Sequence, residues 1–427
     1  MNLLVIGSGG REHALIWAIS KSPLCKKIYA MPGNGGTDKL AENISIAVTD
    51  HDKVVHFCRE KNIDLVMIGP ETPLVDGLAD TLEKHKIPVV GPSKLAAQLE
   101  GSKEFTKKLC DRYNIPTAAY EAFTDATLAK KYIEKTGTPI VIKADGLAAG
   151  KGVIIAHTKE EAFIAIDDIL VKQKFGAAGN SLVIEEFLVG EEISVFALVD
   201  GNDAIYFGSA QDHKTVGDGD TGLNTGGMGT YSPAPIMTIP LEKEIMETII
   251  LPSMAGMKKD GNPFKGVLFA GLMITKNGPK LIEYNVRFGD PETQSLMARL
   301  DSDIVELLIA TANGKLKGLN VKFKPDAALC VVMAANGYPE AYKTGSVIKN
   351  IDAAEKLQNV IVFHAGTKKD NNGVITAHGG RVLGVTALGK NVTEAQRNAY
   401  SAVDNIEWND GFCRRDIGWR AVAREKA

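Results

Sequence analysis

Residues 139–155 read Pro-Ile-Val-Ile-Lys-Ala-Asp-Gly-Leu-Ala-Ala-Gly-Lys-Gly-Val-Ile-Ile, two apolar β-branched runs joined by a loop of small residues with lysines. Small residues at Gly146, Ala148, Ala149, Gly150 and Gly152 let backbone N–H groups approach a polyphosphate, and Lys143 at the strand end adds a fixed positive charge. A Walker loop is excluded, because only three residues separate Gly146 from Gly150-Lys151, and Gly152 stands where Ser or Thr is required. An ordinary flexible hairpin competes with this reading. The density of small residues around lysines favours a lid over phosphates.

Working toward the N-terminus, residues 1–102 alternate short apolar runs with helical patterns: Leu3 to Ile6, Lys27 to Ala30, Leu65 to Ile68 and Pro88 to Val90 are each followed by a turn and a helix candidate. That pattern predicts a doubly wound parallel sheet. Each run ends in a glycine loop (Gly7-Ser8-Gly9-Gly10, Gly33-Asn34-Gly35-Gly36, Gly69-Pro70-Glu71, Gly91-Pro92-Ser93), and such loops collect at one sheet edge, where ligands bind. A dinucleotide fingerprint fails, since Glu12 occupies its third glycine position and the second strand ends in Met31-Pro32 in place of an acid. Arg11 at the helix start, beside unpaired N–H groups, favours an anion site there. A purely structural turn, with Arg11 paired to Glu12 or a neighbour, remains the alternative.

Working toward the C-terminus, longer strands with hairpin turns at Gly201-Asn202-Asp203 and Asn277-Gly278 indicate antiparallel sheet from about residue 103. The strand Leu182 to Glu186, followed by Phe187 and Leu188, suits the wall of a nucleoside pocket, and Glu191 or Glu192 could accept ribose hydroxyls unless both are solvated surface. In Glu283-Tyr284-Asn285-Val286-Arg287 the period of two puts Glu283, Asn285 and Arg287 on one face. Hard oxygen ligands there suit Mg²⁺ shared with phosphates, and Arg287 suits a carboxylate or a transferring phosphoryl group. The loop Gln211 to Gly229 lacks the later ligands of a calcium-binding EF-hand series, and His213 within it reads equally as a base or as a positioned histidine.

The lid Lys143 to Gly152, Glu185-Glu186-Phe187-Leu188 and Glu283-Tyr284-Asn285 resemble the ATP-grasp fold. Gly7-Ser8-Gly9-Gly10-Arg11-Glu12-His13, Gly91-Pro92-Ser93-Lys94, Asp212-His213-Lys214, Asn224 to Gly229, Arg287 to Gln294 and Gly379-Gly380-Arg381-Val382-Leu383 narrow the resemblance to the phosphoribosylamine-glycine ligase (glycinamide ribonucleotide synthetase) family, across essentially the whole chain. Departures are Thr215 for arginine, Leu223 for proline, Val286 for cysteine and Glu340 for glycine, of which Thr215 could alter substrate affinity. The resemblance implies an α/β chain with an N-terminal doubly wound domain over 1–102, an ATP-grasp domain over 103–326 with an antiparallel lid subdomain at about 118–190, and a small C-terminal α+β domain over 327–427. It implies joining of glycine to 5-phosphoribosylamine with ATP through a glycyl phosphate, as the second step of purine synthesis, with Mg²⁺ or Mn²⁺ at Glu283 and Asn285. It places ATP against Lys103, Lys143, Gly150, Gly152, Glu185, Glu186, Phe187, Leu188, Glu191 and Glu192. Catalytic roles fall to Arg287, Lys143 and Asp212, and substrate contacts to Gly9, Gly10, Arg11, Asp212, Lys214, Gly226, Gly227, Met228, Arg287 and Asp290. Another ATP-grasp ligase joining a different carboxylate and amine, or a non-catalytic nucleotide sensor, are the competing readings.

Composition agrees with a small-molecule enzyme. A chain of 427 residues suggests about three domains, 44% hydrophobic and 24% charged residues exclude a disordered or fibrous chain, and a net charge of -3 without charge blocks offers no footprint for nucleic acid or a membrane surface. Glycine, at 43 residues, exceeds the usual share of about 7%, consistent with many ligand loops. Five scattered cysteines never in C-x-x-C spacing fit reduced thiols. Met1 to Gly7 has no basic flank and its apolar run stops early, so a cytoplasmic protein is expected, and a monomer.

Overall fold

In the first hundred residues, every strand of the computed structural model, which describes residues 1–147 and 152–426, runs parallel to its neighbours. Strands β1 (Asn2–Gly7), β2 (Lys27–Pro32), β3 (Glu42–Asn43), β4 (Leu65–Ile68) and β5 (Val89–Val90) lie in the order β3-β2-β1-β4-β5. The order reverses at β1, so the loops after β1 and β4 flank the crevice in which such sheets hold ligands. The apolar runs that predicted these strands are buried on both faces, as a sheet covered by helices requires.

A second, antiparallel sheet is built from β6 (Tyr120–Phe123), β7 (Ile140–Ala144), β8 (Val153–Ala156) and β9 (Leu182–Glu186), ordered β6-β9-β7-β8. It has its own core, with Ile142, Leu182 and Ile184 packed against Ile133, Ala162 and Ile166 of the helices Ala126–Thr136 and Lys159–Ile166. Asp145, at the end of β7, ties this layer to the body. Its carboxylate accepts the amides of Lys103 (2.6 Å) and Glu104 (3.2 Å) at the start of the helix Lys103–Tyr113, and the hydroxyls of Ser102 and Ser181. A carboxylate there satisfies orphan helix donors and complements the positive end of the helix dipole.

The third sheet carries β10 (Glu191–Asp200), β11 (Ala204–Asp212), β14 (Gly229–Ser232), β15 (Lys265–Thr275), β16 (Gly278–Asn285), β17 (Ala327–Ala335), β18 (Val360–His364) and β21 (Arg381–Gly389), ordered β16-β15-β10-β11-β14-β17-β21-β18. Two hairpins stand off it, β12 (Thr215–Gly217) with β13 (Thr221–Asn224), and β19 (Thr367–Lys369) with β20 (Ile375–Ala377). Strands of the segment expected as a small C-terminal α+β domain belong to this sheet. The run from Ala327 is entirely buried and joins the central sheet directly, with Gly229 opposite Val331 and Ser232 opposite Ala328. Pairing β14 on both sides leaves neither it nor β17 with an open edge. A bulge at Gly271/Leu272 opposite Ile282 and Glu283 takes the Ile282 carbonyl out of the ladder, and that oxygen becomes a ligand for Lys143.

Candidate active site

A cavity of about 1020 Å³ opens where the three sheets meet, and residues from all of them line it. Its lid-side wall is Lys143, Gly152, Glu185, Glu186, Phe187 and Leu188; Glu191 and Glu192 open the next strand, and Lys103 reaches in from the helix start. Lys103 Nζ donates to the Gly146 carbonyl at 3.0 Å, which sets it beneath the hairpin. Gly150 falls outside the described residues. Lys143 is nearly buried, 2.9 Å from Glu185 Oε1 and 3.1 Å from the Ile282 oxygen. Glu191 and Glu192, expected at a ribose, already have partners: Glu191 pairs with Arg424 and accepts from Gln211 Nε2 at 2.7 Å, and Glu192 pairs with Lys214.

Glu283, Asn285 and Arg287 line the cavity together, as the period of two predicted, although β16 itself ends at Asn285. Burial pushes the Glu283 carboxyl up, yet Lys214, Lys143, Lys103 and Arg287 outweigh it and hold the acid below the usual carboxylate range. Among the described residues no donor is bonded to its oxygens. An ionised acid among four cations with free lone pairs is a donor set that fits a divalent ion shared with phosphates. The Asn285 oxygen accepts from Arg287 Nη2 at 3.0 Å, which leaves it a second lone pair. Arg287 is itself held by two acids not singled out in the sequence: Glu100 Oε1 at 2.8 Å from Nη2 and Glu71 Oε2 at 3.2 Å from Nε.

Asp212, Lys214, Gly226 and Asp290 line the same cavity. Burial, reinforced by Glu292, drives the Asp212 carboxyl well above its ordinary range, with Lys214 pulling the other way. Glu292, in the first turn of the helix Glu292–Arg299, is likewise raised by burial. These two acids and Lys214 form a compact set able to hold or move a proton. His213 is not a base in this set. Its Nε2 accepts the Gly418 amide at 3.0 Å, so its Nδ1–H faces the Gly229 carbonyl at 3.1 Å, and both ring nitrogens are spent.

Several expected substrate contacts stand elsewhere. Met228 is fully buried in the core beneath β17 and β21, its amide bonded to the His213 carbonyl at 2.8 Å, because the chain turns inward into β14 at that point. Gly227, at φ 111°, is wedged so that a side chain would strike Asp212 Oδ1 and Pro291; it shapes the wall and does not line the cavity. In the Gly7 to Arg11 loop two of the amides are already engaged. The Gly9 amide donates to Glu12 Oε2 at 2.5 Å, the Arg11 amide donates to Asp290 Oδ2 at 3.2 Å, and Gly10 packs on Gln294. The Arg11 side chain lines the cavity but is bound to Glu12 Oε1 at 2.5 Å and the Phe288 oxygen at 3.0 Å. Thr215 accepts twice at 3.1 Å, through its carbonyl and hydroxyl oxygens, from Arg414, a buried guanidinium also paired with Asp220 and Asp416.

Arg381 and Tyr338 are functional candidates that periodicity missed. Both line the cavity from the C-terminal segment and clamp one glycine: Tyr338 Oη accepts the Gly226 amide at 3.2 Å, and Arg381 Nη1 donates to the Gly226 carbonyl. The available signal was the Gly379-Gly380 pair before Arg381, since a side chain on Gly380 would meet the Tyr338 and Tyr342 rings.

Comparison with known proteins places this arrangement. The chain matches three family models in sequence: phosphoribosylglycinamide synthetase N domain over residues 1–100, ATP-grasp (A) domain over 101–293 and C domain over 328–420. It is 59% identical over 427 residues to a phosphoribosylamine-glycine ligase of Mesorhizobium japonicum, covering 100% of both chains. The crystal structure of phosphoribosylamine-glycine ligase from Thermotoga maritima superposes with a TM-score of 0.84 at 33% identity, covering 98% of this chain and 100% of the other. A biotin carboxylase domain of Hydrogenobacter thermophilus 2-oxoglutarate carboxylase, in complex with MgADP and bicarbonate, shares the fold at a TM-score of 0.74 and 18% identity, covering 96% and 91% of the two chains.

Proposed function

The chain belongs to the phosphoribosylglycinamide synthetase family of ATP-grasp ligases, and from that premise we propose that it joins glycine to 5-phosphoribosylamine at the expense of ATP, yielding glycinamide ribonucleotide, ADP and phosphate. The observation that carries this reading is the charge layout of the cavity. Glu283 is held ionised among Lys214, Lys143, Lys103 and Arg287, and Asp212 and Glu292, whose carboxyls burial raises, stand beside Lys214 as a pair suited to take up a proton.

Glycine's carboxylate is a poor electrophile, so the γ-phosphoryl group of ATP passes to one of its oxygens, forming glycyl phosphate and ADP. Lys143, Lys103 and Arg287 neutralise the negative charge that gathers on the phosphoryl oxygens. Glu283 and Asn285 would hold Mg²⁺ or Mn²⁺, which when bound neutralises phosphate charge. Phe187 and Leu188 cover the base, and the hairpin after Lys143 shields the acyl phosphate from water. The amine of phosphoribosylamine then attacks the acyl carbon, the C–O bond to phosphate breaks, and the Asp212–Glu292 pair accepts the amine proton. Asp290, Lys214 and Gly226 shape the acceptor end. Substrate specificity lies with small molecules, and no helix among the described residues is long and apolar enough to cross a membrane.

The deciding experiment is ADP release with each co-substrate omitted in turn, using glycine labelled with ¹⁸O in its carboxylate. Release that needs all three substrates, with one label passing to phosphate, is the expected result. Release independent of phosphoribosylamine, or unlabelled phosphate, would reject it.

A further inference from the structure

Lys107 is buried, carries a charge and has no part in the reaction described above. It lies one helical turn beyond Lys103 on the helix Lys103–Tyr113, and its side chain is 2% exposed. Its Nζ stands 3.0 Å from Glu185 Oε2 and 2.7 Å from Thr117 Oγ1. The other oxygen of the same carboxylate, Oε1, is 2.9 Å from Lys143 Nζ. Lys143 and Glu185 are 3% and 4% exposed and sit on neighbouring lid strands, β7 and β9. Lys107 comes from the body.

Two buried ammonium groups therefore share one buried carboxylate. An uncompensated buried charge is expensive, and a fold that merely needed to neutralise Glu185 would use a single lysine. A single lysine would create a different difficulty. If Lys143 were the only partner of Glu185, moving it toward a phosphate would strand the carboxylate in the interior, and that cost would be subtracted from nucleotide affinity. With Lys107 fixed on Oε2 by the helix and Thr117, Glu185 stays compensated whichever way Lys143 turns.

We propose that Lys107 is a positioning residue for the nucleotide: by keeping Glu185 paired, it lets Lys143 leave Oε1 for the ATP phosphates. The proposal rests on the nucleotide-binding reading of the cavity. The surplus positive charge is then available to polyphosphate, and the Lys107–Glu185 pair keeps the lid tied to the helix as the nucleotide enters.

Binding of the non-hydrolysable β,γ-imido analogue of ATP with Mg²⁺ to the full-length protein, measured by calorimetry without glycine or phosphoribosylamine, tests the proposal. K107M should weaken binding at least tenfold, and so should K107Q, which keeps a hydrogen-bond donor in case the methionine variant does not fold. K107R should stay within threefold of the unaltered protein. In an E185Q background, where no carboxylate competes for Lys143, the same Lys107 substitutions should change affinity less than threefold. Equal losses in both backgrounds, or no loss in either, would overturn the proposal. An unaltered protein that fails to bind the analogue would instead reject the nucleotide-binding reading. In turnover, the K107Q defect should appear in KM for ATP and not in KM for the other two substrates.

Discussion

Arg381 Nη1 donates to the main-chain oxygen of Asp290 at 2.6 Å, and the same nitrogen reaches the carbonyls of Gly226 and, at 3.2 Å, Gly227. A guanidinium from the C-terminal segment thereby ties together two loops of the central sheet that flank the acceptor end of the cavity. R381M removes that tie without touching the lid. It should raise KM for glycine and phosphoribosylamine at least tenfold, equivalent to about 1.4 kcal/mol each, and leave KM for ATP within twofold. A parallel rise in all three constants would mean that Arg381 supports the fold as a whole.

Arg11 and Glu12 form a buried ion pair at 2.5 Å, with side chains 8% and 2% exposed. Removing one member of such a pair strands the other, at a cost of about 3 to 5 kcal/mol. R11M should therefore lower the urea midpoint markedly. Its effect on KM for phosphoribosylamine should be smaller than the stability loss, because the guanidinium is already spent on Glu12 and the Phe288 carbonyl. A midpoint unchanged from the unaltered protein, with KM for phosphoribosylamine raised tenfold, would restore this loop as the sugar-phosphate site.

What the sequence made legible, and what it hid, divides by distance along the chain. The apolar runs of residues 1–102 and the two strands on either side of residues 145–152 are local patterns, and they pair as read. The same-face set Glu283, Asn285 and Arg287 followed from strand period alone. Arg11 could be paired with Glu12 from adjacency, but its amide's partner, Asp290, lies 279 residues away and left no local trace. Lys107 pairs with Glu185 of β9 and bonds Thr117, and the partner on β9 left no local trace in the helix sequence. The apolar run of β17 was legible as buried strand, but nothing local says that it pairs with β14 of the central sheet.

Three buried histidines set the acid limit of the protein. Burial holds His13 at about 3, with His364 and Lys39 adding to the effect, His364 at about 4, helped by Lys39, and His213 at about 4, helped by Arg414. The unfolded chain takes up these protons near pH 6.5, whereas the native protein refuses them until pH 4 or below. Above pH 6.5 neither state binds them and they add no pH dependence. As pH falls from about 6.5 toward 4, stability should drop by up to about 1.4 kcal/mol per pH unit for each histidine. His13 Nδ1 accepts the His364 amide at 2.8 Å across the junction of the N-terminal and central sheets, so H13Q should flatten the acid limb measured by urea unfolding between pH 4 and 6.5. An unchanged slope would place the acid sensitivity elsewhere.

Glu283 faces Lys214, Lys143, Lys103 and Arg287, and what it contributes can be separated from what they contribute by the sign of the effect on each ligand. Were it a simple counter-charge, E283Q would make the cavity more positive, tighten ATP and leave the magnesium requirement alone. As an ion ligand it should behave otherwise, because a neutral amide oxygen is a weaker partner for a hard divalent cation than a carboxylate. E283Q should then raise the Mg²⁺ concentration for half-maximal turnover at least tenfold and cut the maximal rate about a hundredfold, roughly 2.7 kcal/mol of transition-state stabilisation. Binding of metal-free ATP should hold or improve, since a repulsive charge near the phosphates has gone. Magnesium titrations of turnover, paired with calorimetry of ATP in chelator, read the two effects independently. An unshifted magnesium midpoint in the variant would mean that the nucleotide alone carries the ion, and that Glu283 serves only to balance the four cations around it.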